Sequence, residues 1–243
     1  MYPDKYAAKN PERAAFIMAS SGQSVSYAEF EMRANRMAHL LCAEGLGQRD
    51  HFSIMMENND RYLEACAAGE RTGLYYTCIN SYLTADELAY ILDNSESQIL
   101  ITSMLKLGVA IDAVAQSNKV RKVLVVDAGA NQLPEGFEDY ATACQSFPVT
   151  PIDNERLGTS MLYSSGTTGR PKGIIRPLPE QPPADALPMY DFLGQLWHYR
   201  EDMIYLSPAP LYHSAPQAAV NLTIRHGGTV IIMERFDPEA YLS

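Results

Sequence analysis

The feature that most restricts the fold is an alternation of short apolar runs with segments of helical period. Four of these runs have the length and composition of buried strands: 51–56, 74–79, 98–102 and 122–126. The intervening segments with helical spacing of apolar residues are 60–71, 84–92 and 105–115. Strand–helix–strand units of this kind build parallel sheets with helices on their faces. We therefore predict an α/β fold of layered, largely parallel sheets flanked by helices.

Further elements are predicted before and after this region. They are strands at 14–19, 204–206 and 229–233, a helix whose apolar face contains Phe30, Ala34, Met37 and Leu41, and a helix at 215–225. The sharpest helix start is at Thr84. Its hydroxyl and the carboxylate of Glu87 have the spacing of a capping box, in which both groups satisfy free backbone N–H groups.

The stretch 127–154 is less regular, because glycines, prolines and polar residues are concentrated there. We interpret it as a surface crossing between two subdomains. Residues 1–154 would form a first α/β subdomain, and residues 155–243 would form a phosphate loop and the start of a second one. Since a helix predicted to begin near Asp237 is cut off at Ser243, we expect the second subdomain to be incomplete.

The charge balance argues against nucleic acid as a partner. The chain has 19 lysines and arginines against 29 aspartates and glutamates, so a phosphodiester backbone would repel it at long range. No apolar stretch approaches the length of a membrane span, and the first residues are polar and lack a signal-peptide pattern. We predict a soluble, cytoplasmic protein without a transmembrane segment. Nothing in the sequence indicates its oligomeric state.

The four cysteines are Cys42, Cys66, Cys78 and Cys144. They form no CxxC pair and have no histidine at metal-ligand spacing, which disfavours a zinc site. Most of them have apolar neighbours in the sequence. We interpret them as buried, reduced thiols that pack like small hydrophobic side chains, rather than as metal ligands or disulfides.

One loop carries the clearest chemistry. A short apolar strand at 161–163 runs into the sequence SSGTTGRPKG, residues 164–173. Its glycines allow turns in which successive N–H groups face one anion, and its hydroxyls can donate beside them. Lys172 adds a charge-assisted donor, and no acidic residue lies between Arg156 and Arg176. The pattern indicates a polyphosphate site, although it lacks the GxxxxGK[ST] spacing of the P-loop.

A string rich in glycine, serine and threonine could also be a flexible linker or a simple hairpin. The longer string 163–173, however, resembles the signature loop of the adenylate-forming superfamily, and in particular of its AMP-forming fatty-acid–CoA ligases. Segments 80–88, 211–213 and 227–230, the last leading to 236–238, resemble the same enzymes. The resemblance extends over almost the whole chain. It implies the first part of the large N-terminal domain of such an enzyme, with the C-terminal domain absent.

By this resemblance the loop holds the β- and γ-phosphates of ATP. The implied binding residues are Ser164, Ser165, Gly166, Thr167, Thr168, Gly169 and Lys172. Lys172 is also the implied catalytic residue, because an ammonium group can neutralise the triphosphate and stabilise the departing pyrophosphate. Ser164 stands at the position whose hydroxyl approaches Mg²⁺ in similar synthetases.

A proline-rich loop at 207–216 follows a strand, where α/β sheets place their ligands. In similar enzymes this loop lines the acyl pocket, which implies substrate contacts for Tyr212 and His213. Taken alone, a histidine such as His213 is more often packed or on the surface than functional, but its position in this motif reverses that expectation. Amino-acid-activating relatives typically have an aspartate near this point. This chain has no aspartate there, and an unpaired ammonium group is costly to bury. A substrate without an amine, such as a fatty or other bulky apolar acid, is therefore favoured.

The implied reaction is the ATP-dependent conversion of this acid to acyl-AMP, followed by transfer to coenzyme A. Three hypotheses stay open. The first is an acyl-CoA synthetase, of which the 243 residues alone are expected to be inactive. The second is a nucleotide-binding or interaction module without turnover. The third is an adenylating enzyme with another acceptor, such as a carrier-protein thiol.

Overall fold

Strands and helices alternate along the chain. The computed structural model describes residues 1–164 and 170–242. The strands are β1 (Ala14–Met18), β2 (Ser24–Ser26), β3 (His51–Met55), β4 (Tyr75–Cys78), β5 (Ser97–Ser103), β6 (Lys122–Val126), β7 (Phe137–Asp139), β8 (Thr159–Ser160), β9 (Leu162–Ser164), β10 (Lys172–Ile174), β11 (Ile204–Ser207) and β12 (Thr229–Ile232). The helices are α1 (Asp4–Lys9), α2 (Tyr27–Ala43), α3 (Tyr62–Thr72), α4 (Ala85–Asn94), α5 (Leu107–Val114), α6 (Tyr140–Gln145), α7 (Pro188–Leu196), α8 (Ser214–Arg225) and α9 (Pro238–Leu242).

Six strands form the larger sheet in the order β7-β6-β5-β3-β4-β8, and every neighbouring pair is parallel. The predicted strands of the central region therefore lie side by side, and the predicted α/β class is confirmed. No helix in the described part of the chain combines the length and the hydropathy that crossing a membrane requires.

Both faces of the six-stranded sheet are covered. Ile99 and Ile101 face a core that also contains residues of α2 and α3, whereas Leu100 faces a second core beneath α4 and α5. This alternation follows from the two-residue side-chain period of a strand. A strand that is buried on both faces has a continuous run of apolar residues. These strands could therefore be predicted well from the sequence.

A second sheet has four strands in the order β11-β12-β1-β2. Strand β12 is parallel to both of its neighbours, whereas β1 and β2 are antiparallel. The Tyr27 hydroxyl, at the start of α2, donates to the carbonyl oxygen of Gly228 over 2.7 Å and ties the two ends of the chain together. Residues from both sides of position 154 thus share this sheet. The division into subdomains 1–154 and 155–243 stays a prediction.

The segment 127–154 was predicted to be an irregular surface crossing. This prediction is wrong in one respect, because part of the segment forms regular secondary structure. It contains β7, which is the last strand of the six-stranded sheet, and α6. Asp139 caps α6 by accepting a hydrogen bond from the Thr142 N–H over 2.8 Å, and Cys144 on this helix is buried. The short helices α1 and α7 were also not predicted.

The predicted capping box is present at the start of α4. The Thr84 N–H donates to the Glu87 carboxylate over 2.9 Å, and the Glu87 N–H donates to the Thr84 hydroxyl over 3.5 Å. The helix extends to Asn94, two residues beyond the predicted end at 92. Gly73, in the left-handed conformation with φ of 72°, ends α3 as the sequence indicates.

One fully buried guanidinium joins several elements. Arg71 on α3 donates to both carboxylate oxygens of Glu31 on α2, over 2.7 and 2.8 Å, and to the side-chain oxygen of Asn35. Glu155 lies 3.6 Å from the same guanidinium and accepts a 2.6 Å hydrogen bond from the Tyr2 hydroxyl. The cluster therefore connects the start of the chain, two long helices and the segment before β8.

Candidate functional site

One cavity of about 420 Å³ brings together residues from the predicted phosphate loop and the predicted acid site. It lies at the carboxyl end of β4, where parallel sheets place ligands. Ser164 and Pro171 line it from the phosphate-loop side, and Tyr212 and His213 line it from the other side. Two segments that are far apart in the sequence thus face the same space.

The flanks of the phosphate loop form a short antiparallel hairpin of β9 and β10. Ser164, the last residue of β9, stands directly opposite Lys172, the first residue of β10. Both side chains are exposed, so the hydroxyl and the ammonium group are free to meet a ligand at the same end of the hairpin. The other predicted phosphate-binding residues, Ser165, Gly166, Thr167, Thr168 and Gly169, lie outside the described part of the chain.

Helix α4 holds both flanks of this loop, a contact that was not predicted from the sequence. The Tyr163 hydroxyl donates to the Asn94 side-chain oxygen over 2.7 Å, and the Tyr90 hydroxyl donates to the Pro171 carbonyl over 3.2 Å. The Arg170 guanidinium lies 4.8 Å from the centre of the Tyr90 ring. Tyr90 and Asn94 are one helical turn apart, so both lie on the same face of α4. This i,i+4 spacing was the sequence feature from which a shared contact surface could have been predicted.

Tyr212 and His213 lie at the start of α8, for which His213 is the N-cap residue. Their rings are 4.4 Å apart and tilted by 52°. The His213 side chain is exposed and makes no capping hydrogen bond, so it is available to a ligand. Tyr212 also lines a second cavity of about 250 Å³, so this residue borders both spaces.

Asn58 fixes the loop that carries these two side chains. Its side-chain oxygen accepts from the Leu211 N–H over 2.8 Å, and its side-chain nitrogen donates to the Met233 carbonyl over 2.9 Å. Asn58 is buried and links the end of β3 to this distant loop. Asn58 could not be predicted from the sequence, because a buried amide that bridges two loops has no local sequence pattern.

The cavity wall combines apolar and polar groups. Ile79, Leu83 and Ile91 provide apolar surface. Glu87 is the acidic residue among the described lining residues, and the hydrogen bonds of the capping box hold the pKa of its carboxyl below the ordinary value.

The four cysteines differ in exposure. Cys66 and Cys144 are buried, as predicted, whereas the prediction of burial is wrong for Cys42, which lies exposed near the end of α2. Cys78 is partly exposed, because it lines the cavity. Its sulfur accepts a 2.9 Å hydrogen bond from the Gln217 side-chain nitrogen and lies 3.9 Å from the sulfur of Cys66.

Comparisons with known proteins agree with this geometry. A family model described as "AMP-binding enzyme" matches residues 3–242. The chain is 32% identical, over 68% of its length, to 3-oxocholest-4-en-26-oate–CoA ligase of Rhodococcus rhodochrous, and it covers 30% of that protein. It is 27% identical, over 95% of its length, to long-chain-fatty-acid–CoA ligase FadD13 of Mycobacterium tuberculosis, and it covers 44% of that protein. The chain thus spans less than half the length of these curated relatives.

A solved structure supports the fold. The crystal structure of ATP-bound MatB from Rhodopseudomonas palustris superimposes with a TM-score of 0.75 at 26% identity. The match covers 100% of this chain and 47% of MatB. The layered sheets are therefore shared with a solved structure in which ATP is bound.

Proposed function

This chain belongs to the AMP-binding enzyme family, and from that premise we propose that the protein activates a carboxylic acid with ATP and transfers the acyl group to coenzyme A. The observation that carries the proposal is the shared cavity, in which the flanks of the phosphate loop face Tyr212 and His213. In the first step a carboxylate oxygen attacks the α-phosphorus, acyl-AMP forms, and pyrophosphate departs. In the second step a thiol replaces AMP.

The phosphate half of the site is proposed to act by neutralising charge. Two anionic reactants must meet, so the Lys172 ammonium would reduce their repulsion and stabilise the developing charge on pyrophosphate. We extend the same role to the N–H and hydroxyl donors of Ser165, Gly166, Thr167, Thr168 and Gly169. The position of Lys172 opposite Ser164 supports this assignment.

Ser164 is the described residue that we propose to lie beside Mg²⁺. The described residues contain no group of three His, Cys, Asp or Glu side chains arranged to hold a metal ion. An exposed hydroxyl next to a phosphate site nevertheless fits Mg²⁺, since this ion is held largely by substrate phosphates and water. The ion would supply further charge neutralisation of the triphosphate.

The acid is proposed to be fatty or otherwise bulky and apolar. The apolar wall formed by Ile79, Leu83 and Ile91 supports a hydrocarbon chain in this cavity. Tyr212 and His213 would position the carboxylate. The names of the two curated relatives, a steroid-acid ligase and a long-chain fatty-acid ligase, agree with this class.

Coenzyme A is proposed as the acceptor because both relatives are named as CoA ligases. No observation favours a carrier-protein thiol or a module without turnover. A cytoplasmic location also stays a prediction, as does the absence of nucleic acid as a partner.

The test is carboxylate-dependent exchange of labelled pyrophosphate into ATP by the full-length protein. With a long-chain fatty acid, exchange should depend on the acid, and Lys172→Ala should slow it on the order of 10- to 100-fold, the equivalent of one lost charge-assisted hydrogen bond. Lys119→Ala is the matched control, because Lys119 is an exposed lysine that pairs with Glu96. It should leave exchange unchanged.

Three outcomes would contradict the proposal at different levels. Unchanged exchange in Lys172→Ala would refute the role of Lys172. Absence of exchange by the unaltered protein with fatty, aryl and steroid acids alike would refute the activation reaction itself. Product on a carrier protein, but never on coenzyme A, would refute the proposed acceptor.

A further inference from the structure

Two thiols on consecutive elements, one of which lines the cavity, form a close pair. Cys66 lies in the middle of α3 and Cys78 is the last residue of β4, and their sulfur atoms are 3.9 Å apart. Gly73 closes the turn between the two elements. A disulfide needs a sulfur–sulfur distance of about 2.05 Å, so modest side-chain rotation and a small shift of α3 towards β4 would join them.

The two thiols differ in access. Cys66 is fully buried, whereas Cys78 is partly exposed and lines the cavity of about 420 Å³. A small oxidant that enters the cavity therefore reaches Cys78 first. Cys66 lies directly behind it, where a resolving thiol would have to be.

The surroundings also distinguish the two sulfurs chemically. The Gln217 side-chain nitrogen on α8 donates to Cys78 over 2.9 Å and lies 3.6 Å from the Cys66 sulfur. Burial raises the pKa of the Cys66 thiol well above its ordinary value. For Cys78 burial acts in the same direction, but hydrogen bonds to its sulfur, including those from Cys66 and Gln217, outweigh it and lower the pKa. Cys78 is thus the better nucleophile.

We propose that Cys78 and Cys66 form a peroxide-sensitive thiol pair that oxidises reversibly to an intramolecular disulfide. The Cys78 thiolate attacks one oxygen of hydrogen peroxide, the O–O bond breaks, and the products are a sulfenic acid and hydroxide. The Cys66 sulfur then attacks the Cys78 sulfur, the S–O bond breaks, and the departing hydroxide takes the Cys66 proton and leaves as water. Two thiols lose two electrons, and peroxide is reduced to water.

Oxidation would also change the cavity. The disulfide draws the Cys78 side chain towards α3 and so alters the hydrogen bond that its sulfur accepts from Gln217, on the same helix that begins at His213. We therefore expect the oxidised protein to lose acid-dependent pyrophosphate exchange and to regain it with a dithiol reductant. This consequence rests on the proposed function, whereas disulfide formation does not.

The experiment is peptide mapping by mass spectrometry after treatment of the full-length protein with hydrogen peroxide. The expected result is one cross-linked peptide that contains Cys66 and Cys78, with a mass lower by two hydrogen atoms and restored by dithiothreitol. Because the unaltered protein is used, the result does not depend on whether a variant folds. Exchange activity is measured on the same samples.

Two variants test the order of the steps. Cys66→Ser should stop the reaction at the Cys78 sulfenic acid, which dimedone labels, and Cys78→Ser should give neither label nor cross-link at this site. Cys144→Ser is the matched control, since Cys144 is buried but lies beside Met37 rather than beside another thiol. It should retain the cross-link.

The proposal is overturned if Cys66 and Cys78 remain unlinked at peroxide concentrations that oxidise the exposed thiol of Cys42. It is equally overturned if Cys78 reacts only to the irreversible sulfinic acid. A cross-link without loss of exchange would leave the thiol pair in place and refute only its effect on the cavity.

Discussion

At the scale of single residues, burial affects the pKa of the Glu64 carboxyl more than its ion pairs do. Glu64 on α3 is only 2% exposed, and its oxygen lies 3.4 Å from Arg61 and 3.7 Å from Arg33. Burial raises the pKa of its carboxyl to about 7, although the two arginines act in the opposite direction. Between its unfolded pKa and about 7, the folded protein therefore binds a proton that the unfolded chain does not.

This difference predicts a pH dependence of stability. A group whose pKa is raised on folding favours the folded state at low pH and contributes less as the pH rises towards 7. Between pH 5 and pH 8 the free energy of unfolding should fall by up to about 3 kcal/mol more in the unaltered protein than in Glu64→Gln. Urea unfolding at both pH values measures this, with the exposed Glu96→Gln as control. The prediction would be contradicted if the free energy of unfolding changed equally between pH 5 and pH 8 in all three proteins.

At the scale of elements, the start of α4 is defined by side-chain chemistry rather than by packing. Thr84 and Glu87 are exposed, yet their reciprocal hydrogen bonds satisfy the first N–H groups of the helix. The same helix holds the flanks of the phosphate loop through Tyr90 and Asn94. The capping box therefore supports the site indirectly.

Thr84→Ala should lower the free energy of unfolding by about 1 kcal/mol, because it removes the hydroxyl that accepts from the Glu87 N–H. Thr84→Ser keeps that acceptor and should lose only a small part of the stability. Thermal or urea unfolding of the two variants distinguishes these effects. Similar losses in both would show that the hydroxyl does not cap the helix.

Elements buried on both faces were predictable, and elements that depend on docking were not. Strand β6 has its predicted bounds, and β5 differs by one residue at each end, because apolar runs mark them. Strand β7 has a partly exposed, acidic sequence, and only its pairing with β6 makes it a strand. In the site, the phosphate loop was visible from its own residues. Gln217 was not, since its partner Cys78 lies 139 residues away.

At the scale of the whole molecule, the Arg71 cluster connects parts of the chain that the sequence keeps apart. Removing this guanidinium leaves the Glu31 carboxylate without the partner that contacts both of its oxygens, and it leaves the partly buried Glu155 carboxylate with its Tyr2 hydrogen bond but without the Arg71 charge. Arg71→Leu should lower the free energy of unfolding by about 3–5 kcal/mol. Arg121→Leu, which breaks an exposed pair with Glu44, should lower it by less than about 1 kcal/mol.

Urea unfolding of the two arginine variants measures these losses. The double variant Arg71→Leu with Glu31→Gln should recover part of the stability, because it removes one of the two stranded charges. If the two single variants lose equally little, the buried cluster does not hold these elements together.

The four-stranded sheet also bears on how the protein is made. Phe16 on β1 pairs with Val230 on β12, whereas the strands of the six-stranded sheet all lie between residues 51 and 160. During synthesis the larger sheet can therefore assemble before β12 has left the ribosome. Until then the edge of the apolar strand β1 that pairs with β12 stays unpaired. Such an open edge invites pairing with other nascent chains. We expect the yield of native protein to depend on the period before β12 emerges. Slow translation in that period should lower the yield, and a chaperone that covers β1 should raise it.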